Sequence, residues 1–193
     1  MSNLHPSVVS RPLAELDAAA FIDPLPNGIR GITWDLDKTL VDQLEPEVPQ
    51  AHLALMRGIA ELGIKQGIIS NANTIKRTTR VMTIAKNIGD TIGPRIYVVT
   101  SMHVGGVRKP KSPVFDRMSR SMGLTKPQLC HVGDQLLNDV LGANAAGYGA
   151  SVLVPPYGEG DDWLVRYLQR PVEAAIRPFV WAPLRSQNFG RRV

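Results

Sequence analysis

Two aspartates, Asp35 and Asp37, stand two residues apart directly after the apolar, β-rich run 29–34. We expect that run to be a strand of an open α/β sheet, in which ligands bind beyond the carboxyl ends of the strands. Two carboxylates at such a point repel each other unless a cation or a shared proton lies between them, and Mg²⁺ is the usual cation. Taken alone, the pair is equally typical of two solvated acids in a turn.

Three further polar clusters follow in the chain, and each of them closes an apolar, strand-like run. A nucleophilic carboxylate, hydroxyl and amide donors, a lysine and an acidic metal-binding loop suffice for phosphoryl transfer through an aspartyl phosphate. The three clusters are Ser70-Asn71 after the run from Lys65, Lys109 within 107–113 after the run 95–99, and Asp134 with Asp139 after the run 129–133.

With these four clusters in this order, the sequence resembles the haloacid dehalogenase-like (HAD) superfamily. It is most similar to the YqeG-like branch, which includes mitochondrial phosphatidylglycerophosphate phosphatases. The resemblance extends from about Pro12 to about Arg177. Departures from the branch are Asn138 in place of the usual Thr, Ala72 in place of the usual Asn, and a longer segment 88–104. The stretches that carry the resemblance are 30–41, 63–71, 108–110 and 133–144.

The resemblance assigns a role to each cluster. Asp35 is the attacking carboxylate, and Asp37 protonates the leaving oxygen and later activates water; an acid at this second position is typical of the superfamily's phosphatases and absent from its ATPases. Mg²⁺ would be held by the side chains of Asp35 and Asp134 and by the backbone carbonyl of Asp37. Ser70 and Lys109 complete the catalytic set. The predicted phosphate contacts are Leu36, Asp37, Ser70, Asn71 and Lys109.

Several of these assignments have competing interpretations. Ser70 could simply cap a loop. Lys111 competes with Lys109, although the Lys-Pro pair and its spacing to the next helix favour Lys109. Thr39 is expected to tie the catalytic loop together. Asp139 is expected to orient waters and Lys109, and its alternative is an acid in the first turn of a helix, where the helix dipole favours it.

The remaining nucleophilic and metal-ligating side chains are predicted to be structural. Cys130 and His131 lie on a predicted core strand. Cys130 is expected to pack there as a small hydrophobic side chain, and His131 is expected to be buried with its hydrogen bonds satisfied. The four histidines show no metal-ligand spacing. Gly105-Gly106 lacks the strand–turn–helix context of a phosphate-binding loop and predicts a flexible segment beside the site.

The length of 193 residues predicts a single domain over 1–193, with an N-terminal extension at about 1–27 and a basic tail at about 179–193. Strands alternating with helices predict a parallel central sheet in a three-layer, Rossmann-like α/β fold. The intervals 43–64 and 72–108 are too short to hold a cap domain. In the superfamily, capless sites are open to bulky substrates or closed by a neighbouring subunit. Helices are predicted at 12–20, 50–62, 74–87, 112–122 and 136–146, with a further strand at 150–154.

Net charge is +5 with a pI near 9.6, which suits an anionic substrate, membrane or nucleic acid. No nucleic acid-binding motif accompanies the charge, so no nucleic-acid partner is expected. No run approaches the ~20 apolar residues of a membrane span, and no signal peptide is evident, so a cytoplasmic location is predicted. The oligomeric state is not predicted.

The C-terminal segment has two interpretations. Apolar residues recur at helical spacing over 162–179, with Pro171 as a break, and an aromatic and basic tail follows. One interpretation is a helix packed on the sheet with a solvated end. The other is an interfacial element that brings the protein peripherally to an anionic membrane.

The residues and the resemblance together predict a capless, Mg²⁺-dependent phosphomonoester hydrolase. Phosphatidylglycerophosphate is the best substrate prediction, by resemblance only. One alternative is a phosphatase of a soluble ester, such as a nucleotide or sugar phosphate. The other is a non-catalytic module that binds nucleic acid or protein, although a pure binder needs no set of Asp35, Asp37, Lys109 and Asp134.

Overall fold

The computed structural model describes residues 5–43 and 45–158. Within them, six strands form one all-parallel sheet in the order β1-β6-β5-β2-β3-β4. This confirms the predicted α/β fold with a parallel central sheet, and it places β2, which precedes Asp35, in the middle. The strands are β1 (Val8–Val9), β2 (Gly31–Trp34), β3 (Lys65–Ser70), β4 (Ile96–Thr100), β5 (Leu129–Gly133) and β6 (Ala150–Leu153).

Helices cover both faces of the sheet. The first three pack with one face, and the last two pack with the other, because the buried side chains of each set belong to separate hydrophobic clusters. A strand sends alternate side chains to opposite faces, so neighbouring residues such as Ile68 and Ile69 enter different clusters. The helices are α1 (Ala18–Ile22), α2 (Gln50–Glu61), α3 (Ile75–Ile92), α4 (Pro113–Met122) and α5 (Leu141–Ala146).

The central strand β2 is buried along its whole length. Ile32 and Trp34 face the cluster under α1 to α3, and the Trp34 indole N–H donates to Gln66 Oε1 at 3.1 Å. Thr33, between them, contacts His131 of β5 instead. A polar pair thus lies on the α4 side of the sheet, directly below the ends of β2 and β5.

Two predicted helices have the expected boundaries, and one is longer. α2 and α4 match their predictions; α4 begins with Pro113 and ends at Gly123, whose φ of 63° is left-handed. Ser112, the predicted cap of α4, has helical backbone angles and makes no side-chain cap bond. α3 continues to Ile92, beyond the predicted end at residue 87, because Ile88 and Ile92 extend its buried face.

Two other predicted helices are divided. The segment 12–20 contains a 3₁₀ turn (Leu13–Glu15) and then α1, because the Asp17 side chain accepts a bond from Ala20 N at 2.7 Å and starts a new helix. The segment 136–146 begins with a π-helical turn (Leu136–Val140) before α5.

The two ends of the chain differ in what the structure describes. Residues 8–9, within the predicted N-terminal extension, form β1 and pair with β6. The predicted helix at 162–179 and the tail at 179–193 lie outside the described residues.

The intervals in which a cap domain could be inserted contain only elements of the sheet and its helices. Residues 45–64 hold α2 and its loop, and residues 72–108 hold α3, β4 and a short turn (Ser101–Val104). Across residues 5–43 and 45–158, none of the helices has both the length and the apolarity that crossing a membrane requires.

Candidate active site

The four predicted clusters follow four strands that are neighbours in the sheet. Because these strands are parallel, their carboxyl ends meet at one edge. There the carboxylate oxygens of Asp35, Asp134 and Asp139 lie within 4.8 Å of one another, and all three residues are buried. Asp35 and Asp134 follow β2 and β5 directly, whereas Asp139 comes from the π-helical turn. Asp37 does not join this cluster.

Lys109 is the cation of the cluster. Its ammonium group donates to Asp35 Oδ1 at 2.5 Å and to Asp139 Oδ1 at 2.6 Å, and its side chain is almost fully buried. Lys111, the competing lysine, is exposed. The backbone N–H of Lys109 donates to Asn71 Oδ1 at 2.8 Å, so the Asn71 side chain fixes the lysine loop. This contact was not predicted, because Asn71 was expected only to contact phosphate.

The cluster holds three carboxylates against one ammonium group. Burial raises the pKa of Asp35 well above its usual value; Lys109 opposes the rise, and Asp139 and Asp134 add to it. Burial would also raise the pKa of Asp139, but the Lys109 charge and the hydrogen bond from His131 hold that pKa below its usual range. Burial lowers the pKa of Lys109, and its two carboxylate partners outweigh this and keep it charged. Three acids and one lysine thus leave the cluster with an excess of negative charge, which disfavours ionisation of Asp35.

A buried chain of polar contacts supports Asp139 from below. His131 Nε2 lies 3.2 Å from Asp139 Oδ1, and His131 Nδ1 lies 2.9 Å from the Thr33 hydroxyl. Burial lowers the pKa of His131, although Asp139 opposes that shift. A neutral imidazole satisfies both contacts when Nε2–H donates to Asp139 and Nδ1 accepts from the Thr33 hydroxyl, whose single proton is then shared with the Cys130 carbonyl 3.1 Å away. His131 is thus the satisfied core histidine that was predicted, and its contact with Asp139 was not predicted.

Gly133 permits the close packing of Asp139 on β5. A Cβ atom at position 133 would overlap the Asp139 carboxyl group. The Asp139 carboxylate also accepts from Gln135 N at 3.0 Å. Gly133 is therefore required because the Asp139 carboxylate packs directly against its backbone. From there the Asp139 carboxylate reaches Lys109, which also binds Asp35.

Asp37 has a different partner from the other acids. Its carboxylate accepts from Arg80 Nη1 at 2.6 Å, and this pair is partly exposed. Arg80 Nη2 also donates to the backbone carbonyl of Glu45 at 2.9 Å and contacts that of Asp42 at 3.4 Å. Arg80 lies in α3, and the sequence alone does not indicate its role, because a lone arginine in a helix belongs to no motif.

The loop after Asp35 is a tight turn. The Leu36 carbonyl accepts from Leu40 N at 3.0 Å and from Val41 N at 3.1 Å, so backbone bonds close the loop. Lys38 has a φ of 66°, and its ammonium group pairs with Asp42 at 2.7 Å. Thr39 was predicted to hold this loop together. Its side chain is buried, but its hydroxyl makes no hydrogen bond among residues 5–43 and 45–158, so the loop is held by the backbone bonds instead.

Ser70 ends β3 beside Thr100 of β4. Ser70 is buried, and its hydroxyl accepts a hydrogen bond from Ala72 N at 3.3 Å. This is the contact expected if Ser70 only caps the loop. A hydroxyl that accepts one bond still has its own proton to donate, so this contact is compatible with a phosphate-binding role.

Comparisons with known proteins identify the family of this chain. A family model described as HAD-hydrolase-like matches residues 106–173. The chain is 36% identical over 148 residues to the probable phosphatase YqeG of Bacillus subtilis (strain 168), covering 77% of this chain and 76% of that protein. It is 31% identical over 101 residues to the glyceraldehyde 3-phosphate phosphatase of Pyrococcus abyssi (strain GE5 / Orsay), covering 52% of this chain and 40% of that protein.

Among solved structures, an uncharacterized protein from Listeria monocytogenes serotype 4b has a similar fold. The TM-score is 0.50 at 19% identity, covering 77% of this chain and 99% of that chain. At this identity the likeness concerns the fold alone.

Proposed function

Because the chain belongs to the YqeG-like branch of the haloacid dehalogenase-like phosphatases, we propose that it hydrolyses phosphate monoesters through an aspartyl phosphate on Asp35. The observation that carries this proposal is the Asp35 carboxylate bonded to the buried ammonium group of Lys109 at the carboxyl edge of the sheet. A pure binding module has no need of a buried lysine shared by two acids, and this argues against the non-catalytic alternative.

The reaction has two steps. Asp35 attacks phosphorus, the bond from phosphorus to the ester oxygen breaks, and Asp37 gives that oxygen a proton. Water then attacks the phosphorus of the aspartyl phosphate, Asp37 takes a proton from the water, and phosphate leaves with Asp35 regenerated. Lys109 holds Asp35 in position, and its charge stabilises the phosphoryl oxygens in both transition states.

The donor set fits Mg²⁺. Asp35, Asp134 and Asp139 offer oxygen ligands, which hard cations prefer, and their charge exceeds that of Lys109. Since both oxygens of Asp139 already accept hydrogen bonds, one from Lys109 and His131 and the other from Gln135 N, we assign the metal to the side chains of Asp35 and Asp134, with the backbone carbonyl of Asp37. When bound, the metal would neutralise charge on the transferring phosphoryl group.

Replacing Asp134 with alanine is expected to weaken Mg²⁺ binding, because the site loses an anionic ligand. The Mg²⁺ concentration for half-maximal turnover should rise by about tenfold or more, as metal-site changes typically give. Calorimetric titration with Mg²⁺ checks binding independently of turnover, and Asp116→Ala on the α4 surface is the matched control. Ca²⁺ should inhibit the wild type, because its larger, more flexible coordination spoils in-line geometry. Full activity in excess chelator would contradict the magnesium mechanism.

Arg80 is proposed to position Asp37, because one guanidinium group joins that carboxylate to the backbone of the 42–45 loop. Arg80→Gln should lower turnover of an alkyl phosphate by about 10- to 100-fold, since a slightly misplaced catalytic group loses that much. An aryl phosphate with a good leaving group needs little protonation and should be affected much less. Lys86→Gln on the same helix is the control. Equal losses on both substrates, or faster alkyl turnover, would contradict a positioning role.

The substrate proposal is phosphatidylglycerophosphate, with a soluble phosphate ester as the second candidate. A depression of about 370 Å³ is lined by residues 105–111, Lys109 among them, and we propose that it receives the part of the substrate that is not transferred. The exposed Arg108 and Lys111 of this lining suit a second anionic group. The second candidate is favoured by the similarity to an archaeal glyceraldehyde 3-phosphate phosphatase.

A panel of lipid, nucleotide and sugar phosphates, including glyceraldehyde 3-phosphate, separates the candidates. The lipid proposal predicts the highest kcat/KM on phosphatidylglycerophosphate. A preference for a soluble ester would refute that substrate and keep the phosphatase. Absence of turnover on the whole panel and on a generic aryl phosphate would refute the catalytic proposal itself.

A further inference from the structure

Exposed apolar side chains gather beside the mouth of the candidate active site. Ile75 is 73% exposed, Met82 48% and Met102 45%. Ile75 and Met82 are seven residues apart on α3 and therefore share one side of the helix. Met102 joins them from the turn after β4, because the Thr78 hydroxyl contacts its sulfur at 3.6 Å. We call these three residues the α3 patch.

The patch lies at the edge of the sheet where substrate must enter. Ile75 begins α3 four residues after Asn71, and Met102 N donates to the carbonyl of Ala72 at 3.2 Å. Across the helix, Val81, Ile84 and Ile88 enter the core. α3 therefore buries one face and presents isoleucine and methionine to solvent on another.

The chain segment that contains the patch carries almost only positive charges. From residue 62 to residue 115 the sequence contains nine lysines and arginines and a single acid, Asp90, although the whole chain has a net charge of only +5. Residues outside this stretch are therefore net acidic. Lys76, Lys86, Arg108 and Lys111 are all exposed in this part of the chain. Apolar side chains among cations are typical of interfacial helices that bind anionic lipid.

We propose that the α3 patch and its flanking lysines dock the open site on an anionic lipid bilayer. Ile75, Met82 and Met102 would enter the boundary between head groups and acyl chains, and Lys76 and Lys86 would contact lipid phosphates. This deepens the proposed function, on which it rests, by placing the substrate phosphate in a membrane. A protein partner fits less well, because the single acid of residues 62–115, Asp90, pairs with Lys86, and the segment keeps a large excess of positive charge. Such an excess complements a uniformly anionic bilayer.

The test measures binding and turnover separately on the full chain. Co-sedimentation compares vesicles of neutral phosphatidylcholine with vesicles that also contain phosphatidylglycerol. Ile75→Gln with Met102→Gln removes apolar contact, and Lys76→Gln with Lys86→Gln removes charge. The matched controls lie at the opposite edge of the sheet. Leu62→Gln, at a residue that is 57% exposed, is the control for the apolar variant. Arg30→Gln with Arg120→Gln, at two exposed arginines, is the control for the charge variant. Turnover of a water-soluble aryl phosphate reports that each variant is folded.

The proposal expects wild-type binding to anionic vesicles only, weakened by salt. The Ile75→Gln, Met102→Gln variant should bind anionic vesicles at least about tenfold more weakly, because burial of even one large aliphatic side chain contributes that much. The charge double variant should bind on the order of twentyfold less, because each near-surface cation contributes about fivefold. Both controls should bind as the wild type does.

Three outcomes would overturn the docking surface. Normal aryl phosphate turnover without vesicle binding would reject the surface and leave the phosphatase standing. Equal vesicle binding by all variants would place the contact elsewhere in the chain. Loss of oligonucleotide binding in the α3 variants, without vesicle binding by the wild type, would assign the surface to nucleic acid. Vesicle binding with no aryl phosphate turnover by the wild type would instead refute the proposed function alone.

Discussion

Replacing Asp35 with asparagine is expected to abolish phosphate release, because a neutral amide cannot attack phosphorus. The loss should be on the order of 10⁴-fold or more, as for other enzymes that lose a nucleophile. Stopped and continuous assays of phosphate release from an aryl phosphate measure it. Asp90→Asn, which changes an exposed acid paired with Lys86, is the control and should keep wild-type turnover.

The same substitution should not destabilise the fold. Burial and the neighbouring acids raise the pKa of Asp35, so ionising this carboxyl group costs more in the folded protein than in the unfolded chain. An uncharged amide relieves this repulsion, and the melting temperature should stay equal or rise. Lost activity together with a lower melting temperature would point to misfolding instead, and near-normal turnover would refute Asp35 as the nucleophile.

Replacing Asp37 with asparagine should slow both steps by a factor of about 10²–10⁴, the usual value of general acid–base catalysis. The larger factor is expected for an alkyl phosphate, whose leaving oxygen needs a proton, and the smaller one for a nitrophenyl phosphate. Single-turnover kinetics on the two substrates measure the difference. Asp90→Asn, which changes an exposed acid paired with Lys86 and leaves the loop untouched, is the control. Equal losses on the two esters would contradict the role as acid.

The sequence predicts the parallel sheet and the position of the main acids at its carboxyl edge, because both depend on local signals. Apolar runs that end in a polar cluster indicate parallel strands, and their order brings Asp35, Lys109 and Asp134 to one edge. Pro113 and Gly123 mark the two ends of α4. Proline fixes φ at a helical value at the start of the helix, and glycine permits the left-handed φ that ends it.

Contacts between distant segments were not predictable in the same way. Arg80 contacts Asp37, which is 43 residues away in the sequence. Which side of α3 faces Asp37 is known only once α3 is packed on the sheet. The path from Thr33 through His131 to Asp139 requires knowing that β2 and β5 are neighbours. A two-residue strand such as β1 has no periodicity to detect.

The most direct test of the central claim is to trap the aspartyl phosphate. Asp37→Asn should accumulate the intermediate, because its hydrolysis is slowed. After reaction with an aryl phosphate and an acid quench, hydride reduction converts an acyl phosphate to an alcohol. Peptide mass spectrometry then locates the residue changed to homoserine.

We expect homoserine at position 35, formed only when substrate was present, and none when Asp35→Asn is added to Asp37→Asn. Homoserine at another carboxylate, or rapid phosphate release by the protein without any trapped acyl phosphate at Asp35, would contradict the mechanism.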